Sequence, residues 1–351
     1  RKRHWFEATV RDTGDFSLLG QHGVTPSGEH VFTRRDLLGS APWLSDHQVN
    51  GITVMPLAAW VAMIVEAIDT IKHEPTSVRI SNLELHSMLA LGESTDVTTS
   101  LEPAGADTWR VRIGSLSPSW RLHASAQVTV VPPTDMSKAD SDWNGPGIWK
   151  DFPVTRLYER LRSVGQQHSG VFTPVADAAL GSDGTATAHL RITSHRAAGR
   201  RMRIFPPLLD GALQTLAVPS PAEATDTVLP ERIGSIHVTG RFGNDATAQA
   251  RIIQDDDGRA TGAVRMTTEK GWVDISGIIL RRLDAPASPE VPLFDQCWTD
   301  LPDVSEQPGS TRVHIVSSGE TSTQLADQLE ATFGTSAVEI ASTSDPAGLP
   351  E

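Results

Sequence analysis

Residues 47–65 read His-Gln-Val-Asn-Gly-Ile-Thr-Val-Met-Pro-Leu-Ala-Ala-Trp-Val-Ala-Met-Ile-Val. A histidine and a glycine lead to a proline, and beyond Pro56 the chain is apolar almost without interruption. Proline has no N–H to lose in a first helical turn, so a helix is predicted from about Pro56 toward Ile71. Apolar nearly all round, it has to be wrapped by protein. Residues 54–68 are broken by Pro56 and Glu66 and fall short of the roughly 20 apolar residues of a membrane span. A buried core helix is the reading that remains.

Strand-like stretches follow this helix at residues 78–85, 97–101, 109–113 and 120–131, where apolar or β-branched residues alternate with polar ones. Residues 131–146 lose that periodicity and gain turn formers, as a linker does. A helix is expected near 154–164 and a strand at 185–192. A second proline-led apolar helix should then run from Pro206 or Pro207 to Leu216, followed by strands at 235–238, 248–253 and 271–281. The second part thus repeats the first in outline, strands around one buried helix. The expected fold class is α+β, with residues 1–130 and 151–284 as two similar halves and 131–150 between them. Residues 285–301 form a proline-rich connector, and a strand within 311–319 followed by a helix at 323–333 opens a β-α unit. That unit is too short to be complete, so the chain reads as part of something larger. A length of 351 residues accommodates two or three such units.

Composition removes several function classes. With 38% hydrophobic and 21% charged residues, the chain has the balance of a globular protein. Its net charge of −13 opposes nucleic-acid binding, which relies on basic surface. The basic start, residues 1–5, lacks the apolar core of an export signal. The single cysteine, Cys297, rules out an intrachain disulfide and a multi-cysteine zinc site, and it suits a reducing compartment, so a cytoplasmic location is expected. No dinucleotide-binding glycine pattern, Walker loop or His-Glu-x-x-His is present, and neither a metal nor a membrane is expected.

Two constellations could carry chemistry. His47 and Gly51 stand just before the first buried helix, where a helix N-terminus can polarise a carbonyl and glycine lets a ligand approach the backbone. Taken alone they also fit a capping or core histidine followed by a turn glycine. Asp210 and Gln214 lie i and i+4 near the start of the second helix, on one face. Alone, that aspartate equally fits an acid placed near the positive end of a helix dipole.

Together the two patterns resemble the dehydratase domains of modular polyketide synthases. His47-x3-Gly51-x4-Pro56, preceded by Pro42-Trp43-Leu44-Ser45-Asp46, is similar to that family's histidine motif. Pro206-Pro207-Leu208-Leu209-Asp210 with Gln214 is similar to its Asp-x3-Gln/His motif, about 160 residues later and in the expected order. Leu18-Leu19-Gly20, Val228-Leu229-Pro230 and residues 293–298 extend the likeness, the last resembling the entry into a ketoreductase structural subdomain. The residues before Glu7 resemble the tail of a linker following an acyltransferase. One motif departs. Where the family carries Gly-Tyr-x-Tyr-Gly-Pro-x-Phe, this chain has Gly165-Gln166-Gln167-His168-Ser169-Gly170-Val171-Phe172, and Phe205 stands where a histidine is usual.

The resemblance implies a double hot-dog fold, each sheet wrapped around its own long helix, with the partial ketoreductase subdomain in residues 285–351. It implies dehydration of a 3-hydroxyacyl thioester, with His47 as base and Asp210 as acid. Gly51, Pro56, Gln214, His168 and Phe172 are then expected to line or hold the substrate. An apolar pocket favours the neutral forms that base and acid need. The substrate would arrive on the phosphopantetheine of an acyl carrier protein, with no cofactor of the domain's own. Acyltransferase and ketoreductase domains would be neighbours, and the domain a homodimer. Double-bond migration or oxa-Michael ring closure at the same residues, a hot-dog thioesterase and a silent scaffold remain as alternatives.

Overall fold

In the computed structural model, residues 18–92, 95–116, 120–133, 143, 148–193, 202–220, 228–254, 260–282, 313–316 and 338–341 are described. The chain divides into two units, Arg1–Ser288 and Pro289–Glu351. The first opens with strands β1 (Gln21–Val24) and β2 (His30–Arg34), helix α1 (Leu37–Ser40), and strands β3 (His47–Val49) and β4 (Ile52–Thr53). Helix α2 (Leu57–Lys72) follows, then β5 (Val78–Leu85), β6 (Val97–Gly105), β7 (Thr108–Leu116) and β8 (Trp120–Val130). After these come β9 (Trp149–Asp151), α3 (Val154–Ser163), β10 (Gln166–His168), β11 (Val175–Gly181), β12 (Ala186–Arg191) and α4 (Pro206–Gln214). The unit closes with β13 (Val228–Gly240), β14 (Asp245–Gln254), β15 (Ala260–Thr268) and β16 (Gly271–Arg282).

Both proline-led helices form where expected. Pro56 caps α2 in extended conformation, and every side chain from Leu57 to Val65 is buried. The helix stops where His73 adopts a left-handed conformation, φ 61°. Pro206 and Pro207 open α4, and a tight turn over Thr215–Ala217 extends it. The strands show the alternation that the sequence predicts: on β7, Trp109, Val111 and Ile113 are buried while Arg110 and Arg112 face out. Strands β1 to β4, β9 to β11 and β15 are not expected from the sequence. Their glycine, alanine and polar residues blur the apolar period, and pairing to neighbours supplies what propensity lacks.

Thirteen strands form one antiparallel sheet in the order β1-β2-β6-β7-β8-β5-β13-β16-β15-β14-β12-β11-β9. The two expected sheets are therefore continuous, joined where β5 pairs with β13 from Val78↔Val238 to Glu84↔Arg232. α2 and α4 pack against one another, and one hydrophobic cluster runs through both sets of elements. A buried ion pair crosses the same junction. Arg203 meets Asp69 near the end of α2 at 2.8 Å and also donates to the carbonyls of Thr76 and Gly240. Desolvation raises the Asp69 pKa and lowers that of Arg203, the cost of burying both charges that the pairing offsets.

In the second unit, β17 (Val313–Val316) pairs in parallel with β18 (Val338–Ala341). A parallel pair requires a crossover between its strands, as the expected β-α unit would supply. The expected helix at 323–333, Cys297, and the expected motifs at 1–6 and 293–298 lie outside the described residues. Among the described residues, no helix is long and apolar enough to cross a membrane, which says nothing of a β-barrel.

Candidate active site

His47 begins β3, which turns back into β4 through Asn50 and Gly51, φ 50° and 79°. Two consecutive left-handed residues make the two-residue hairpin turn whose twist matches its strands, and Asn-Gly is its preferred sequence. Gly51 therefore has a backbone reason to be glycine. The hairpin brings the carbonyl of Val54 to 3.1 Å from His47 Nδ1. A carbonyl can only accept, so Nδ1 carries the hydrogen of the neutral ring and Nε2 keeps its lone pair.

Asp210 lies in the second turn of α4, beyond the first turn in which the helix dipole acts strongly. What holds it is Gln214, whose Nε2 donates to Asp210 Oδ2 at 2.8 Å and to the Phe172 carbonyl at 2.9 Å. The i, i+4 spacing thus makes a hydrogen bond inside the protein. Next to it Gly211 is required by packing, since a Cβ there would meet Pro174 Cγ at 2.4 Å.

The segment that departs from the family motif forms β10 and pairs directly with the histidine strand: His168↔His47, Gln167↔Gln48 and Gln166↔Val49. Asp46 secures the next residues, accepting from Val171 N–H and Ser169 Oγ, each at 3.2 Å. Gly170, φ 49°, fits there because a Cβ would strike Asp46 Oδ2 at 2.1 Å. The pairing places the His168 ring 5.2 Å from that of His47, edge to face, and His168 Nε2 3.6 Å from Asp210 Oδ2. The latter distance is too long for a direct hydrogen bond. The His168 side chain is only 2% exposed, and its Nδ1 has no partner. Burial lowers its pKa from 6.5 to about 4, against the opposing pull of Asp210 and with a small further push from His47. His168 is accordingly neutral at pH 7.

His47, Pro56, His168, Asp210 and Gln214 line one cavity of about 320 Å³, together with Trp60 of α2. Phe172 stands behind it, fully buried, its ring 5.3 Å from that of His47. Gly51 is exposed and does not line the cavity, and its N–H is donated to Gln167 Oε1 at 2.7 Å. A carbonyl held by that N–H would have to displace the Gln167 amide. Phe205 takes an edge contact on Trp43 at 5.1 Å. Sequence reasoning missed Asp46, Gln167 and Trp60. Asp46 could have been suspected from its place beside His47; the other two have no signature.

Among the described residues, His47, His168 and Asp210 each offer a ligand atom within 4.8 Å of the others. The arrangement can also pair an imidazole base with a carboxylic acid across a mostly apolar space.

The profile of the polyketide synthase dehydratase domain matches residues 17–116, and that of the polyketide synthase dehydratase N-terminal domain matches residues 150–290. A phenolphthiocerol/phthiocerol polyketide synthase of Mycobacterium tuberculosis is 29% identical over 304 residues, 81% of this chain and 17% of the relative. Polyketide synthase GfsE of Streptomyces halstedii is 25% identical over 86% of this chain and 9% of its own length. The chain thus spans less than a fifth of these relatives. The dehydratase domain of PpsC from Mycobacterium tuberculosis superposes with TM-score 0.63 at 26% identity, covering 76% of this chain and 98% of that one. The dehydratase domain from the CurF module of curacin polyketide synthase gives TM-score 0.65 at 20% identity, over 77% and 100%. The fold is the double hot-dog of these domains.

Proposed function

The chain belongs to the polyketide synthase dehydratase family, and on that premise we propose that it removes water from a 3-hydroxyacyl thioester to give the 2-enoyl thioester. The observation that carries this reading is the meeting of His47 and Asp210, from distant parts of the chain, in one cavity. His47 Nε2 takes the proton beside the thioester carbonyl, and the electron pair of that C–H bond becomes the double bond. The C–O bond breaks as Asp210 hands its proton to the departing hydroxyl, which leaves as water. Gln214 donates to Oδ2, leaving Oδ1 to carry the acid proton. The imidazolium and carboxylate formed are close enough for the proton to return through water and restore the starting forms.

Trp60, Leu89 and Leu216 give the cavity its apolar walls, which exclude water and suit an acyl chain. Pro56 shapes the wall at the head of α2, His168 faces the acid, and Phe172 holds the His47 ring from behind. The related PpsC dehydratase domain has been seen in complex with C12:1-CoA. For this chain the acyl group would come on the phosphopantetheine of an acyl carrier protein, and the domain would need no cofactor. Neighbouring acyltransferase and ketoreductase domains, homodimerisation and a cytoplasmic location belong to the same proposal. So does the division into halves at 1–130 and 151–284, with a linker at 131–150 and a partial ketoreductase subdomain in 285–351.

The test is a carrier-bound 3-hydroxyacyl thioester followed by mass spectrometry for loss of water. His47→Ala and Asp210→Asn should each lower turnover by about 100-fold or more, the range of general acid–base catalysis. An unreacted wild type across all hydroxyl and α-substituent stereoisomers would overturn the reading. The altered segment at 165–172 favours one second reading, double-bond migration, because His168 adds an imidazole beside the pair. Migration would appear as deuterium incorporation at the γ-carbon of an enoyl thioester in heavy water.

A further inference from the structure

The replacement of a tyrosine by His168 puts a third donor beside the base and acid, and its chemistry differs from theirs. Two imidazoles and a carboxylate, each with a ligand atom within 4.8 Å of the others, form a set that borderline-soft divalent cations favour. We propose that His47, His168 and Asp210 bind Zn²⁺, and that the bound ion blocks the dehydration step by occupying the base and the acid.

Two of the three donors are already held as metal ligands are. His47 directs Nε2 to the cavity because its Nδ1–H is donated to the Val54 carbonyl, the arrangement that fixes metal-binding histidines. Asp210 is oriented by the Gln214 amide, and an oxygen accepting one N–H retains a lone pair for an ion. His168 offers Nε2 without breaking a hydrogen bond, its buried Nδ1 having no partner. Its Nε2 stands 3.6 Å from Asp210 Oδ2, close to the edge of about 3.4 Å that bonds of 2.0–2.1 Å give in a tetrahedron. The remaining separations, up to 4.8 Å, have to shorten when the ion binds. The fourth position opens on the cavity, where water would complete the shell. Nitrogen donors set the order of preference, with Zn²⁺, Ni²⁺ and Co²⁺ above Mg²⁺ and Ca²⁺.

Occupation consumes the lone pair that His47 needs as a base and keeps Asp210 ionised, so metal and turnover are mutually exclusive. That consequence rests on the dehydratase reading; the binding itself does not. A family tyrosine at position 168 would supply a neutral hydroxyl, a poor zinc ligand at pH 7, so the site is a property of this chain's altered segment.

Metal-free full-length chain should be titrated with Zn²⁺ against a chromophoric chelator in the absence of substrate, with circular dichroism to confirm that each variant is folded. His168→Tyr and His47→Gln should each abolish one site, a loss exceeding the roughly 10–100-fold seen on removing an outer-shell partner. His189→Gln should retain it. That histidine lies 3.7 and 3.8 Å from Asp177 and Asp245 on the surface and is one competing location. Co²⁺ in place of Zn²⁺ should show the visible bands of a four-coordinate ion in wild type and not in His168→Tyr. Equal affinity in folded wild type and His168→Tyr, or a site lost only in His189→Gln, would overturn the proposal.

Discussion

α2 and α4 begin alike, each led by proline and each buried, yet they serve the cavity in different ways. α2 is core from Leu57 to Val65, and its only share in the site is the wall made by Pro56, Leu57 and Trp60. The proposed base, His47, stands outside the helix, on the Asn50-Gly51 hairpin. α4 is shorter and carries the proposed acid, Asp210, within its own turns, held by a residue of the same helix. Duplication of a scaffold therefore does not duplicate a site: one half provides a hydrogen-bonded hairpin, the other a polar face on a buried helix.

The contrast is tested most forcefully in α2. Ile64→Ala, at a fully buried position, should cost about 2–5 kcal/mol in urea unfolding while the surviving folded protein keeps its activity. A fall in kcat matching the loss of stability would mean that α2 does more than pack.

Acid should act on the other side of the contrast, through His168. Its folded-state pKa lies below its unfolded value, so the unfolded chain takes the proton first. The stability is present above pH 6.5 and is lost as pH falls toward 4, by up to about 3 kcal/mol from this residue. His22, His30, His123 and His237, whose pKa values are lowered mainly by burial, add to the same acid sensitivity. Denaturation midpoints across that window should therefore fall less steeply for His168→Phe than for wild type. Parallel curves would remove His168 as a contributor.

Within α4, Gly211→Ala sets helix propensity against packing. Alanine should gain about 1 kcal/mol in an open helix. Against Pro174 it should instead destabilise by about 1–3 kcal/mol and lower turnover by displacing Asp210. A stabilised, fully active variant would show that α4 can shift without consequence. The smallest effect is expected at the hairpin. Gln167→Ala removes the acceptor for the exposed Gly51 N–H and should cost about 1 kcal/mol or less. Its kinetic effect refines the reading of Gly51: a lower KM would mean that the freed N–H receives the thioester carbonyl.

Much of this was legible before any coordinates. Proline followed by a long apolar run identifies both helices, because burial on all sides leaves no room for a polar stripe. Alternating residues identify β5 to β8 for the corresponding reason, one face of the sheet being buried. His47 and Asp210 stood out by motif and order.

The amino-acid order is enough to say which two helices organise the core, since this follows from hydrophobicity and proline geometry, and the family resemblance pairs His47 with Asp210 as the proposed base and acid. That Gln166-Gln167-His168 is a strand emerges only in the folded molecule. Three polar residues have no period, and their pairing with residues 47–49 lies more than a hundred positions away along the chain. That one long-range pairing seals Gly51 with Gln167 and aims His168 at Asp210, and no local propensity encodes either contact.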